Sequence, residues 1–304
     1  MTAASALRLD GVTKRYGKRV ALRELVLDVP SGSLTGLIGP NGAGKTTAFG
    51  IAGGLVRADA GTVDVLGGGA FSPERHAGRV ALLPQDAELP PHTPARDILV
   101  YYARLQGRSA RNAAYEADRV LELVSLTDRA RSRIRELSHG MRRRVALAQC
   151  FLGDPELVLL DEPTSGLDPH LVVQVRDLLA SQRGKRTLVV SSHVLSELES
   201  VCDHVIFLEA GGVVQAGAMA AITGREASVR ILVDGDPPLE ALREALPDTR
   251  LELDGRELVL HARDGEDVPT LLARTLPILL AHDVRIVEIH RGQTLERAYL
   301  ATRS

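Results

Sequence analysis

Gly39-Pro40-Asn41-Gly42-Ala43-Gly44-Lys45-Thr46-Thr47 is the stretch of this chain whose residue types and spacing say most about chemistry. Glycines let backbone N–H groups turn inward around a phosphate, and a helix that follows adds the partial positive charge of its N-terminus. Lys45 is then expected to reach the β- and γ-phosphates of a nucleotide, and the Thr46 hydroxyl to ligate Mg²⁺. A flexible glycine-rich turn with an exposed lysine is the alternative. It is outweighed by the flanks, because the apolar run Leu34–Ile38 reads as a buried strand and Ala48–Ala52 as the start of a helix. Strand, glycine turn and helix in that order are what a phosphate-binding loop requires. Lysine is also scarce here, with Lys14, Lys18, Lys45 and Lys185 the only four.

Other polar residues stand at the ends of apolar runs. Leu157–Leu160 reads as a strand closed by Asp161 and Glu162. Beside a phosphate loop, Asp161 would hold Mg²⁺ through its water shell, and Glu162, pointing the other way, would polarise a water next to the γ-phosphate. A polar strand end capped by Pro163 is the plainer alternative. Gln85 follows the strand-like Val80–Leu83 and can reach a bound Mg²⁺ or its water, although an isolated glutamine carries little meaning alone. His193 ends the run Thr187–Ser192, where a lone histidine is usually structural. In an open parallel sheet, ligands bind outside the C-terminal strand ends. Gln85, Asp161, Glu162 and His193 are therefore expected at the same edge as Lys45.

Further residues have two readings each. Tyr16 either stacks on an adenine ring or is an ordinary tyrosine at a strand end. Leu137-Ser138-His139-Gly140-Met141 opens a helix in which Ser138 is an N-cap. The hydroxyl of Ser138 and the N–H of Gly140 would suit an anion, but a capped helix with a basic surface is the reading these residues favour when taken alone. Arg142, Arg143 and Arg144 are expected on a solvated face in either case. Gly67-Gly68-Gly69 reads as a turn, and His261, His282 and His290 lack the spacing of metal ligands.

The elements that must position these residues alternate strand and helix. Between residues 94 and 135 no strand intervenes, and the spacing of Ile98, Leu99, Tyr102 and Leu105, then of Val120, Leu121, Leu123 and Val124, predicts two amphipathic helices. A helical subdomain inserted into an α/β core follows. Val205–Leu208 and Gly212–Gln215 read as a closing hairpin. Beyond it, strands at Val229–Val233, Leu251–Leu253, Leu258–Leu260 and Val284–Ile289 alternate with helices at Leu239–Ala245 and Val268–Ala281, which predicts a small α+β sandwich.

The chain has 304 residues, 44% apolar and 25% charged, with a net charge of −2, so nothing in the balance calls for nucleic acid or an acidic membrane surface. Cys150 and Cys202 sit in apolar surroundings, which argues against a disulfide framework and for a reducing cytoplasm. The first ten residues lack the pattern of a secretion signal. No run approaches 18 uninterrupted apolar residues, so this chain is not expected to cross a membrane itself.

Taken together, the motifs resemble the nucleotide-binding subunit of ATP-binding cassette (ABC) transporters, in the family's order, over about residues 5–220. Gly39 to Thr46 matches the Walker A loop, Gln85 the Q-loop and Leu137 to Met141 the signature. Asp161 and Glu162 match the end of the Walker B strand, Ser165 to Asp168 the D-loop and His193 the switch histidine. His139 and Met141 depart from the usual LSGGQ signature, whereas Ser138 and Gly140 keep it. The resemblance implies an α/β fold: a P-loop NTPase core of the ABC type over residues 5–222, with a helical subdomain at about 90–150. A small C-terminal α+β domain at 226–304, like that of drug and antibiotic exporter ATPases, would follow. It further implies ATP and Mg²⁺ as cofactors, with Tyr16 stacked on adenine and residues Gly39 to Thr47 around the phosphates. Glu162 would be the general base, Lys45 and His193 would contact the γ-phosphate, and Thr46, Gln85 and Asp161 would serve the metal. Two copies would pair head to tail when ATP is bound, with Ser138 and Gly140, beside Asp168 of the D-loop, completing the other copy's site. A separate integral membrane permease is the implied partner, with this chain peripheral on the cytoplasmic face of the cell membrane. Thr93-Pro94, Tyr101 to Leu105 and the tail Thr294 to Leu300 look like ABC-2-type exporters. The alternatives are an importer ATPase and an ABC ATPase driving conformational work outside transport.

Overall fold

The computed structural model describes residues 4–224, 228–263 and 266–301. Strands β1 (Ser5–Tyr16), β2 (Arg19–Pro30) and β3 (Leu34–Ile38) lead into helix α1 (Lys45–Ala52). Then come β4 (Ala60–Val65), the single turn α2 (Pro73–His76) and β5 (Val80–Leu83). Three helices follow, α3 (Ala95–Leu105), α4 (Ala110–Leu123) and α5 (His139–Gln149). The chain returns through β6 (Leu157–Leu160), α6 (Pro169–Ser181), β7 (Thr187–Ser192), α7 (Leu195–Glu199), β8 (His204–Glu209) and β9 (Gly212–Ala218).

β2, β1 and β4 form an antiparallel sheet, and a second sheet runs in the order β5-β6-β7-β3-β8-β9. Its neighbours from β5 to β8 are all parallel. Every residue of β3, β6 and β7 is buried, because a parallel sheet is covered on both faces, and this is why these strands read as unbroken apolar runs. One core joins the two sheets: Leu9, Leu25 and Leu27 from the antiparallel sheet meet Phe49 and Ile51 of α1 and Leu159, Val189 and Ile206 of the parallel one. β1 and β2 extend well beyond Ala6–Leu9 and Leu25–Val29, the two segments that read as strands from their residues alone. Bulges shift their register, between Leu9 and Val12 and again at Lys14, which hides the period-two pattern by moving side chains across faces.

Between β5 and β6 the chain is helical, with no intervening strand. α3 buries Ala95, Ile98, Leu99 and Ala103, and α4 buries Ala113, Ala117, Val120 and Leu121. Leu105, which the spacing places on the apolar stripe, is at the end of α3 and is exposed. Both cysteines are free and buried. Burial pushes the thiol of Cys150 up to about 12 and raises that of Cys202 as well. Neither is therefore expected to react with a disulfide reagent at pH 8 until denaturant is added; fast labelling of either in the native protein would contradict this burial.

The chain divides into two compact units, Met1–Ala216 and Gly217–Ser304. The expected start of the second domain, at residue 226, lies outside the described residues. The second unit contains α8 (Met219–Thr223), β10 (Ser228–Asp234), α9 (Leu239–Ala245), β11 (Arg250–Asp254), β12 (Glu257–His261), α10 (Val268–Ala281), β13 (Arg285–Arg291) and α11 (Leu295–Ala301). Its four strands are antiparallel in the order β11-β12-β10-β13, the split βαβ arrangement that this element order predicts. Val229, Ile231, Leu258, Leu260, Leu271 and Leu279 form a separate core. α11 is an addition to the expected pattern, since seven residues are too few to display a helical period. Among the described residues, no helix is long and apolar enough to cross a membrane.

Candidate nucleotide-binding site

β3 delivers the chain into the loop at Gly39, and the fit there admits no side chain. A Cβ on Gly39 would lie 2.2 Å from the carbonyl oxygen of Leu208. Gly44 adopts φ +110°, where a Cβ would meet Leu22 Cδ2 at 2.6 Å and the Ala21 carbonyl at 2.8 Å. Only glycine tolerates that combination of backbone angle and close approach. Gly44 is also the N-cap of α1 and provides no capping side chain, so the first N–H groups of the helix remain available to an anion. Lys45 folds back across the loop, and its Nζ donates to the carbonyls of Gly39 (2.7 Å) and Pro40 (3.3 Å). Thr46, beside it on the first turn, is exposed, as are Asn41 and Gly42.

The parallel sheet places β7 beside β3 and β6 beside β7, so their C-terminal ends open onto the same edge. Asp161 and Glu162 follow β6 and are both buried. One hydroxyl organises the pair: Ser191 Oγ donates to Asp161 Oδ1 at 2.5 Å and accepts the N–H of Glu162 at 2.9 Å. Glu162 has φ +48°, a left-handed backbone that a non-glycine residue adopts only when its surroundings hold it there. Its Oε1 lies 4.0 Å from Lys45 Nζ, and its Oε2 lies 3.1 Å from His193 Nδ1. Facing a carboxylate, Nδ1 is the protonated, donating nitrogen of the ring. Burial lowers the pKa of Lys45 from its ordinary value, and the nearby charges of Glu162 and Asp161 oppose that shift.

A cleft of about 420 Å³ opens over this edge, lined by Tyr16, Arg19, Ala21, the loop residues Asn41, Gly42 and Gly44 to Thr47, and Gln85 and Glu162. Tyr16 stands at its rim and is half exposed. The structure thus gathers Tyr16, residues of the glycine loop, Lys45, Thr46, Gln85 and Glu162 around one space, with Asp161 next to Glu162 in the chain and His193 at hydrogen-bond distance from its carboxylate. Ser138, Gly140 and Asp168 do not line it. Ser138 Oγ accepts the N–H of Met141 and caps α5, Asp168 caps α6 by accepting the N–H of Leu171, and Gly140 is buried beside Leu171. His139 lies against Gly166.

One expectation is overturned in part. Arg142 is exposed, as a solvated face requires, but Arg143 is buried and Arg144 is half-buried, and all three donate to main-chain carbonyls, those of Leu137 for Arg142 and Val124 for Arg144. The physical reason is that the first turns of α5 lie over strand ends and loops whose carbonyls need donors. Sequence reasoning also passed over Ser191 and Arg19. Ser191 reads as one of the polar residues in a buried strand, and its place near the end of the strand next to the one that leads into two carboxylates was the available signal. Arg19 pairs with Tyr16 across the β1–β2 turn, which was detectable only once the strands were known to be long.

Comparison with families of known proteins matches residues 22–165 to the family described as ABC transporter. Nod factor export ATP-binding protein I of Mesorhizobium japonicum is 36% identical over 279 residues, covering 89% of this chain and 81% of its own. The protein of the same name from Burkholderia lata is 37% identical over 296 residues, covering 95% of this chain and 94% of its own. Among solved structures, an ATP-binding subunit of an ABC transporter superposes with a TM-score of 0.65 at 26% identity, over 73% of this chain and 93% of that one. A dimeric bacterial ABC transporter cassette superposes with a TM-score of 0.64 at 24% identity, over 70% of this chain and 98% of that one, and shares the fold.

Proposed function

The chain belongs to the ABC transporter family, as one of its ATP-binding, ATP-hydrolysing subunits, and we propose that it energises export through a separate membrane-spanning permease. The observation that carries the proposed site is the arrangement of Lys45, Glu162 and His193 around the end of the phosphate loop. The exporter direction draws its support from the export ATP-binding relatives, which align along nearly the whole chain. In this reading the chain sits peripherally on the cytoplasmic face of the cell membrane.

The loop N–H groups and Lys45 bind the phosphates, with Lys45 exchanging its carbonyl partners for phosphate oxygens. Tyr16 supports the adenine ring from the rim. Glu162 accepts the proton of a water as its oxygen bonds to the γ-phosphorus and the bond to the ADP oxygen breaks. His193, held by Glu162, orients that carboxylate, and its Nδ1–H would turn from Glu162 to the γ-phosphate as charge develops there. The donor set also fits Mg²⁺: Asp161 Oδ2 is buried with no hydrogen-bond partner, Thr46 and Gln85 border the same cleft, and all offer hard oxygen ligands. Bound there, Mg²⁺ would neutralise charge on the β- and γ-phosphate oxygens. Ser138, Gly140 and Asp168, outside their own chain's cleft, are assigned to the site of a second copy paired head to tail. Closure of that pair on ATP, and its opening after hydrolysis, would move the permease.

The test begins with a tagged Glu162→Gln chain captured with ATP from membranes in mild detergent. Recovery of one integral membrane protein in fixed proportion is expected, and recovery of soluble proteins alone would remove the transporter role. Direction is read by comparing small molecules inside cells that carry the native or the Glu162→Gln chain. Accumulation of a compound in the variant is expected for an exporter; its depletion would overturn export.

A further inference from the structure

Arg143 is 8% exposed, and its guanidinium is spent entirely on main-chain oxygens. Nη2 donates to the carbonyls of Glu162 (2.8 Å) and Asp161 (3.0 Å), Nη1 to those of Gln85 (3.0 Å) and Pro84 (3.4 Å), and Nε to that of Pro163 (3.3 Å). A buried cation is costly unless it is hydrogen-bonded, and a planar fork meets several fixed acceptors at once where an ammonium cannot. The residues it gathers are the turn after β5 and the turn after β6, which carry Gln85 and the two acidic groups of the site. Glu162 is held from both sides: Ser191 accepts its N–H, and Arg143 donates to its C=O. A left-handed backbone at Glu162 survives only under such constraint.

We propose that Arg143 is a positioning residue for hydrolysis, one that fixes the main chain of Glu162 and Gln85 from α5 so that the Glu162 carboxylate stays between Lys45 and His193. This rests on the reading of Glu162 as general base. The hydrogen bonds of Arg143 go to the turns after β5 and β6 and not to the loop or Lys45, so it acts on the rate of the chemical step and not on phosphate binding. Because α5 also carries Ser138 and Gly140 one turn earlier, the same fork ties the signature turn to its own chain's Glu162.

The test compares Arg143→Met and Arg143→Lys with the native chain for kcat, KM, binding of a slowly hydrolysed ATP analogue, and thermal midpoint. A displaced catalytic group costs up to about 100-fold in rate, so Arg143→Met is expected to lose about 30- to 100-fold in kcat while its analogue affinity stays within about twofold. Lysine, which reaches fewer carbonyls, is expected to recover part of the loss. A purely structural role would lower the midpoint without separating kcat from affinity. An unchanged kcat, or kcat and affinity falling together, overturns the proposal. If the methionine variant does not fold, Arg143→Gln is judged by the same separation. Glu162→Gln in the same assay distinguishes the two readings. If it retains turnover, the general-base assignment fails; if it loses turnover while Arg143→Met does not, only the role of Arg143 fails.

Discussion

Glu162→Gln is expected to slow ATP hydrolysis by about 10²- to 10⁴-fold, the range a positioned general base contributes, while ATP still binds. The amide matches the carboxylate in shape and keeps an oxygen to accept from His193 Nδ1, now 3.1 Å away. It has no basic site for the proton of water. It also removes a negative charge that stands 4.0 Å from Lys45 and would face the γ-phosphate, so ATP affinity is expected to hold or rise. With binding intact and hydrolysis blocked, an ATP-dependent dimer should accumulate in size-exclusion chromatography, and nucleotide extracted from it should be ATP. Turnover near the native rate would remove Glu162 from the role of base.

Lys45→Met is expected to act on the other half of the cycle. The buried ammonium bridges two loop carbonyls and balances Glu162 and Asp161. Methionine preserves the stem and leaves those carboxylates uncompensated beneath the phosphates. A hydrogen bond to a charged group is worth about 1.5–3 kcal/mol, so ATP should bind roughly 10- to 150-fold more weakly, with adenosine binding little changed. Titration calorimetry separates the two. The sign of the pH dependence follows from the lowered pKa of Lys45. The lysine gives up its proton at a lower pH than ordinary lysines do. ATP affinity in the native chain is therefore expected to fall as the solution becomes alkaline, starting below the ordinary lysine range, and that decline should be missing from Lys45→Met. A matching decline in the variant would place the titrating group elsewhere.

The strands that matter most to the site were legible as apolar runs: β3, β6 and β7 because they are covered on both faces, and the half-buried edge strand β5 because it is aliphatic throughout, and each leads into the residues that report its purpose. Gly39 and Gly44 were legible for a related reason, since the backbone there leaves no room for a side chain. Arg143 was not. An arginine in a basic triplet looks the same whether it meets water or main-chain carbonyls, and carbonyls leave no mark on a sequence. Ser191 was hidden similarly, as its meaning depends on which strand lies beside β7. The lengths of β1 and β2 were lost to bulges, which break the alternation by which strands are recognised.

The position of β3 in its sheet also bears on how the protein is made. β3 pairs on one side with β7, Leu34 opposite Leu188, and on the other with β8, Thr35 opposite His204. A ribosome releases the glycine loop early, at about 5–20 residues per second, yet neither flanking strand of β3 exists until most of the first unit has been synthesised. Lys45 likewise waits for Glu162. Pairings this distant along the chain are slow to form because loop closure must precede their reward. The nascent chain therefore carries its most recognisable motif for many seconds without a nucleotide site, and ATP can stabilise folding only in its last stage.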